Sequence, residues 1–136
     1  MKKFLSISYG APAFNVALLL LRVGAGALLM IAHGYDKLVH FAQYQKVFMN
    51  FMGIGSSFSL GLAVFAEFFC SIFIIVGLFT RLVSIPIIIL LSTALFKSNN
   101  AEIFGKGELS ALFLVCFITI LLVGPGKISV DGMINK

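Results

Sequence analysis

The sequence alternates long apolar runs with short polar stretches, and four of the runs are long enough to form helices that cross a membrane. The first predicted span covers residues 13–32. Its length fits a hydrocarbon core about 30 Å thick, since an α-helix rises about 1.5 Å per residue. The other predicted spans cover residues 58–79, 82–96 and 108–124. The pattern therefore predicts an all-α integral membrane four-helix bundle, with residues 1–136 forming a single transmembrane domain.

Between the first two spans, residues 37–52 follow a different pattern. The large apolar positions recur at helical spacing and polar residues lie between them. The apolar series is Phe41, Tyr44, Phe48 and Met52. We therefore predict an amphipathic helix at the membrane interface, ended by the glycine- and serine-rich stretch 53–57.

The second and third spans are separated by only Thr80 and Arg81, which predicts a tight antiparallel hairpin. At fifteen residues the third span is short for a bilayer. It either begins before Arg81, with that side chain reaching toward the headgroups, or crosses a thinned region of the membrane.

Composition supports a lipid environment. Hydrophobic residues make up 60% of the chain and charged residues 11%, whereas about a quarter of the residues in soluble domains are charged. The net charge of +5 is spread thinly and forms no Lys/Arg block, which argues against a nucleic-acid partner. Cys70 and Cys116 lie in separate apolar runs, so neither a disulfide framework nor a zinc site is indicated.

Basic residues in the short loops bear on orientation. The amino end, the hairpin and the tail carry Lys2, Lys3, Arg81, Lys127 and Lys136, and the opposite loops carry Lys37, Lys46, Lys97 and Lys106. Five against four favours both termini in the cytoplasm. The expected location is a bacterial inner membrane, crossed several times.

Two charged residues fall near the centres of the first two predicted spans: Arg22 and Glu67. A charge at the bilayer centre costs about 2.5 to 3.5 kcal/mol, and such residues usually turn inward and pair. Because the two helices run antiparallel, we predict an Arg22–Glu67 ion pair. It either fixes the register of the helices or takes part in function, and the sequence favours neither.

Extending from Arg22 at helical spacing leads to Gly26, His33 and Lys37, so one face carries a polar series. A histidine there is suited to shuttling protons or to hydrogen-bonding a quinone or a sulfur oxyanion. The predicted polar pocket between the first two helices consists of Arg22, His33, Lys37 and Glu67. Secondary candidates are Tyr35, Asp36 and Glu108, although a helix dipole explains Glu108.

Several short motifs follow one another along the chain. They are Arg22, His33-Gly34-Tyr35-Asp36-Lys37, Glu67, Gly77-Leu78, Thr80-Arg81 and Gly124 to Asp131. In order and spacing they resemble the DoxX family of small four-helix bacterial membrane proteins. The family pattern has an arginine in the first helix followed by a glycine-rich stretch and H-G-x-x-K, an intramembrane glutamate, a glycine ten residues on, a T-R pair and a G-P-G-x-x-S-x-D ending. The resemblance extends over about residues 16 to 131.

This resemblance implies an association with a thiosulfate:quinone oxidoreductase and with membrane complexes that handle thiol or oxidative stress. The leading hypothesis is an inner-membrane subunit of a redox or sulfur-related system. The sequence carries no flavin, haem or metal motif, so a non-autonomous oxidoreductase subunit that uses a quinone and a protein partner or homo-oligomer is the expected form. The alternative is a non-enzymatic assembly or scaffold protein with a structural ion pair, and a small transporter or channel is a third hypothesis.

Overall fold

In a computed structural model the chain forms an antiparallel helical bundle. The structure describes residues 2–48, 50, 53–98, 103–105 and 107–134. After a short 3-10 turn at Lys2–Leu5, the bundle consists of α1 (Ala11–Val39), α3 (Ser56–Val76), α4 (from Thr80 through the turn Ala94–Ser98) and α5 (Glu108–Val123). The short helices α2 (Phe41–Tyr44) and α6 (Val130–Ile134) follow α1 and α5. No strand occurs within the described ranges, which confirms the all-α prediction.

Three of the helices are long and apolar enough to cross a membrane: α1, α3 and the stretch Thr80–Lys97 of α4. The fourth, α5, has 16 residues and measures about 24 Å at a rise of about 1.5 Å per residue. Each helix packs against the next along the chain, and α1 also packs against α5. The four long helices, α1, α3, α4 and α5, thus close into a ring.

Apolar side chains cover both the inside and the outside of this ring. The core contains Leu29, Cys70, Ile74, Ile87, Leu91, Phe113, Phe117 and Ile120. On the outer face, Leu20 is 74% exposed and Leu122 is 73% exposed. Helices that are hydrophobic all round belong in lipid, so the chain is a multi-pass membrane protein.

The first helix is longer than its predicted span of 13–32. Instead of ending at His33-Gly34, α1 continues to Val39. Gly34 keeps helical dihedrals, and a Cβ there would lie 2.7 Å from the carbonyl carbon of Glu67. Gly34 is therefore a point of close approach between α1 and α3, and tertiary packing outweighs its low helix propensity.

The predicted amphipathic helix at 37–52 is wrong in its extent. Residues 37–39 belong to α1, and α2 is a single helical turn followed by further turns as far as Phe48. Met49, Phe51 and Met52 lie outside the described residues. Of the apolar series that suggested one helix, Phe41 and Tyr44 lie in α2, Phe48 lies in the turns after it, and Met52 lies outside the described residues.

The hairpin between α3 and α4 is as tight as predicted. Gly77 adopts a left-handed conformation with φ of 76°, and the amide of Leu78 donates to the carbonyl of Phe73 at 2.9 Å. These features form a Schellman motif, which ends helices at glycine. Helix α4 begins at Thr80. The third span therefore starts before Arg81, which was the first of the two alternatives considered for it.

Candidate functional site

A small cavity inside the bundle is lined by both ionisable and apolar side chains. We call it the polar cavity; it has a volume of about 120 Å³. Its lining residues are Leu29, His33, Lys37, Glu67, Leu90, Leu91, Ala94, Leu109, Ser110 and Phe113. It lies toward the end of the bundle where α1 leaves and α5 begins. Apolar side chains thus surround three ionisable groups.

Lys37 and Glu67 form an ion pair in this cavity. The ammonium Nζ of Lys37 donates to Glu67 Oε2 at 2.7 Å and to Oε1 at 2.9 Å. The lysine side chain is 18% exposed and the glutamate side chain 8%. A charge in so apolar a setting is tolerated because its partner and its hydrogen bonds replace water. The third N–H of Lys37 has no acceptor among the described residues.

His33 shares the cavity but not the ion pair. Its ring lies edge-on to Phe113, with centroids 5.9 Å apart and planes at 89°. This geometry is a favourable aromatic contact that fixes the ring. Neither ring nitrogen has a hydrogen-bond partner within the described ranges. The histidine is therefore held in place with its polar atoms free.

Three π-helical turns meet at the level of the cavity. They are Met30–Gly34 in α1, Phe65–Phe69 in α3 and Ala94–Ser98 in α4. The first carries His33, the second Glu67 and the third Ala94, each of which lines the cavity. π-turns are rare and often occur at functional sites, because the wider turn redirects side chains at the cost of regular hydrogen bonding. Their convergence distinguishes this end of the bundle.

The three secondary candidates lie outside the cavity lining. Tyr35 is 56% exposed and Glu108 is exposed at the first residue of α5. Asp36 accepts hydrogen bonds from His40 Nδ1 at 3.0 Å and from the Tyr44 hydroxyl. That hydroxyl contact raises the pKa of Tyr44 above its ordinary value. Asp36 thus fastens α2 to the end of α1.

Arg22 does not join this group, and the predicted Arg22–Glu67 ion pair is wrong. The guanidinium is fully buried. It donates from Nη1 to the carbonyls of Ile74 and Ile75, each at 3.2 Å, and from Nη2 to the carbonyl of Ile128. A cation at the carboxyl end of α3 is favoured by the carbonyls exposed at the helix end and by the helix dipole. Arg22 therefore joins α1, α3 and the tail.

The Arg22–Glu67 ion pair was predicted because both charges lie near the centres of their predicted spans, which would place them at nearly the same depth. Because α1 extends to Val39, its register against α3 is shifted: Gly34 faces Glu67, and Arg22 faces Ile74 and Ile75. Arg22 and His33 are eleven residues apart on one helix, which is about 16 Å along the axis. The predicted polar face is divided between the two ends of the bundle.

Sequence reasoning did not assign a role to Asp131, which the structure places beside the hairpin. Its carboxylate accepts from the amides of Phe79 and Thr80, both at 2.9 Å, at the start of α4. Partial burial raises the pKa of Asp131, but these backbone hydrogen bonds and the charge of Arg22 outweigh it, so the pKa lies below its ordinary value. The signal available in the sequence was the G-P-G-x-x-S-x-D ending itself.

Other residues of the same motifs also meet at the hairpin end. Arg81 donates from Nη2 to the carbonyl of Val123 at 3.3 Å, near the end of α5. Asn15 Oδ1 accepts from the amide of Lys127 at 2.9 Å. The motif residues therefore form two clusters at opposite ends: Arg22, Arg81 and Asp131 join helix ends, whereas His33, Lys37 and Glu67 surround the polar cavity.

Comparison with known proteins gives one match. The family model described as DoxX matches residues 17–100, which is more than half of the chain. The matched region includes Arg22, His33, Lys37 and Glu67, and it ends before α5 and the tail. No curated protein and no solved structure matches.

Proposed function

Since this chain belongs to the DoxX family, we propose that it is a membrane subunit of a redox or sulfur- and thiol-related system that works with a protein partner. The polar cavity is the ligand site of this proposal. The observation that carries it is the Lys37–Glu67 ion pair, which lines a cavity shared with His33. A pair that only fixed helix register would have no need of an adjoining cavity.

The donors of the cavity suit a ligand with hydrogen-bond-accepting oxygens. Lys37 has one N–H left after its two bonds to Glu67, and the His33 ring nitrogens are free among the described residues. The ion pair is neutral as a whole, so a neutral acceptor such as the carbonyl of a quinone is preferred to a strongly charged anion. The apolar wall of Leu29, Leu91 and Phe113 favours a ring as well.

Size limits how much of such a ligand the cavity holds. A cavity of about 150 Å³ accommodates benzene, and the polar cavity measures about 120 Å³. A quinone ring therefore enters by one carbonyl edge, with the rest of the molecule outside. That orientation brings the carbonyl oxygen to the donors of Lys37 and His33.

The proposed part of this chain in the chemistry is proton handling and orientation. A quinone accepts two electrons and two protons when it becomes a quinol. An imidazole can act as a general acid, so His33 is the residue proposed to deliver a proton to the ring oxygen. Glu67 holds the ammonium of Lys37 in place, and the apolar wall excludes bulk water. The electrons come from the partner in this proposal, because the sequence carries no motif for a redox group. His33 is partly exposed and takes up a proton from water after the first transfer, which supplies the second proton of the quinol.

We also propose a bacterial inner-membrane location with both termini in the cytoplasm. The amino end, the hairpin and the tail lie at one end of the bundle, since Asn15 binds Lys127 and Asp131 binds Thr80. At the opposite end, Lys37 lies within α1 and not in a loop, which lowers the count of loop lysines and arginines on that side. In a background without Cys70 and Cys116, a cysteine at Gln43 should then react with a membrane-impermeant maleimide in intact cells, whereas a cysteine at Lys2 should react only after the membrane is permeabilised.

The experiment that tests the ligand site uses purified protein in nanodiscs. A chain-free dimethoxy-methyl-benzoquinone and thiosulfate are each titrated by calorimetry. Lys37→Met and Glu67→Gln should each lower quinone affinity at least about tenfold, because a hydrogen bond to a charged group is worth about 1.5–3 kcal/mol. Glu108→Gln, an exposed carboxylate on the same side, should bind as the wild type does. Equal affinity in all four proteins, or no binding by the wild type, would contradict the proposal.

The scaffold alternative makes the opposite prediction. If the Lys37–Glu67 pair is purely structural, Lys37→Met and Glu67→Gln lower stability and change no ligand affinity. Phe41 lies in α2 and Phe48 in the turns that follow it. A docking role would be supported by a stoichiometric partner that co-purifies with the wild type and is lost after substitution at either position.

A further inference from the structure

A second cavity lies on the outside of the bundle, directly across from the polar one. We call it the α3–α4 groove; its volume is about 310 Å³. It is lined by Phe48, Ser59, Leu62, Ala63, Phe65, Ala66, Pro86, Ile89, Leu90 and Thr93. Its hydroxyls are turned to their own helices, since Ser59 Oγ donates to Gly55 and Thr93 Oγ1 donates to Ile89. The groove therefore presents an apolar surface to the lipid.

One side chain, Leu90, lines both the α3–α4 groove and the polar cavity. The π-turn Phe65–Phe69 of α3 also faces both spaces: Phe65 and Ala66 line the groove, and Glu67 lines the cavity. The half-buried side chain of Leu90 thus separates the ionisable side chains of the polar cavity from the apolar α3–α4 groove.

The backbone on this side is the least regular of the bundle. Pro86 lies inside α4 and lacks an amide hydrogen, so one hydrogen bond of that helix is absent. The π-turn Ala94–Ser98 begins four residues after Leu90. Leu90 therefore sits between two interruptions of α4, where a small bend breaks few hydrogen bonds.

The bundle also has an apolar groove between α1 and α5, of about 440 Å³. It reaches the polar cavity at Leu109 and Phe113. There two side chains form the boundary: Leu109, which is 49% exposed, and Phe113, which is 6% exposed and packed against His33. On the α3–α4 side Leu90 alone lines both spaces, so that side is the simpler route between the polar cavity and the membrane.

We propose that the α3–α4 groove binds the apolar chain of a membrane-dissolved ligand whose compact polar head lies in the polar cavity, with Leu90 as the partition between head and chain. The inference rests on the proposed function, because it takes the polar cavity as the head site. It assigns the substrate class: an amphiphile with one apolar chain and a hydrogen-bond-accepting head, drawn laterally from the bilayer. The volume mismatch of the cavity fits this assignment, since a ring too large for it extends past Leu90 into the groove.

The test compares two probes that share a head. One is the chain-free benzoquinone used above, and the other carries a decyl chain. Ile89→Trp fills the α3–α4 groove from its lipid side, where Ile89 is 54% exposed and does not line the polar cavity. Leu112→Trp is the matched control, because Leu112 is 61% exposed and lines only the α1–α5 groove.

Ile89→Trp should lower affinity for the decyl probe about tenfold or more and leave the chain-free head unaffected, whereas Leu112→Trp should change neither. All proteins are measured in the same nanodiscs, so the partition of the probe into lipid cancels between variants. A decyl probe with a terminal diazirine should also crosslink to Leu62 or Ile89, and excess decyl probe should suppress the product.

The outcomes separate this inference from the proposed function. If the chain-free head binds but Ile89→Trp leaves decyl affinity unchanged, or Leu112→Trp lowers it, the groove assignment is wrong and the head site stands. Crosslinks that excess decyl probe does not suppress would mean that the groove holds bulk phospholipid, which also overturns the assignment. If the wild type binds neither probe, the head site and the groove are both wrong.

Discussion

The ammonium of Lys37 lies 2.7 and 2.9 Å from the two carboxylate oxygens of Glu67, and this contact joins the end of α1 to the middle of α3. It stands directly beside Gly34, whose backbone touches that of Glu67. The close approach of the helices and the ion pair therefore depend on each other. The polar cavity exists because the two helices meet at this register.

The first prediction concerns the energy of the pair. Lys37→Met strands a carboxylate that is 8% exposed, whereas Glu67→Gln strands an ammonium that is 18% exposed and can turn toward water. Lys37→Met should therefore cost more free energy of unfolding, about 1–3 kcal/mol. The double variant should be less destabilised than the sum of the single variants. Thermal unfolding of the wild type, the two single variants and the double variant in one detergent gives a double-mutant cycle. If the losses of stability were strictly additive, the Lys37–Glu67 contact would contribute no coupling energy.

The second prediction uses two glycines of α1. A Cβ on Gly34 would lie 2.7–2.8 Å from backbone atoms of Glu67 and Phe68, whereas a Cβ on Gly24 meets nothing within 4 Å. Gly34→Ala should force the helices apart, cost about 1–3 kcal/mol and weaken ligand binding at Lys37. Gly24→Ala should be neutral or stabilise by about 0.5 kcal/mol, because alanine is the better helix former. A melting temperature that falls equally in both variants would contradict this account of the register.

A third prediction separates Arg22 from the polar cavity. Its guanidinium binds carbonyls of two segments at once, and a lysine ammonium cannot reproduce that fork. Arg22→Lys should therefore destabilise the protein by more than about 1 kcal/mol while the folded fraction keeps its affinity for the chain-free quinone. Arg81→Lys, an exposed position with longer contacts, should change stability by less than about 0.5 kcal/mol. If folded Arg22→Lys loses affinity for the ligand, this prediction is wrong and Arg22 contributes to the binding site.

The fourth prediction is a pH dependence from Asp131. The pKa of its carboxyl is lower in the folded protein than the ordinary value of about 3.9. A depressed folded pKa contributes stability that is fully present above the ordinary value and is lost as the pH falls through the folded pKa. The difference in melting temperature between the wild type and Asp131→Asn should therefore be constant near neutral pH and shrink below about pH 4. A difference that persists unchanged at pH 3 would show that the charge of Asp131 adds no stability.

Much of the fold was predictable because lipid imposes strong local rules. Long apolar runs must be helices in a membrane, so the four helices followed from hydropathy, and the two-residue separation at Thr80-Arg81 predicted the hairpin. The end of α1 was not predictable in the same way. His33-Gly34 reads as a helix end by local propensity, and only the contact of Gly34 with Glu67 makes glycine the residue that lets the helix continue.

The sequence by itself determined that this chain is an all-α membrane protein, because each long apolar run carries its own energetic requirement, and it named Arg22, His33, Lys37 and Glu67 as candidates for one polar pocket. Only the tertiary structure decided which charge meets which. The partner of a charged side chain depends on helix register, and register is set by packing at Gly34 and by the length of α1, neither of which local pattern specifies. For that reason Glu67 binds Lys37, and Arg22, about 22 Å from Lys37 along α1, binds the end of α3.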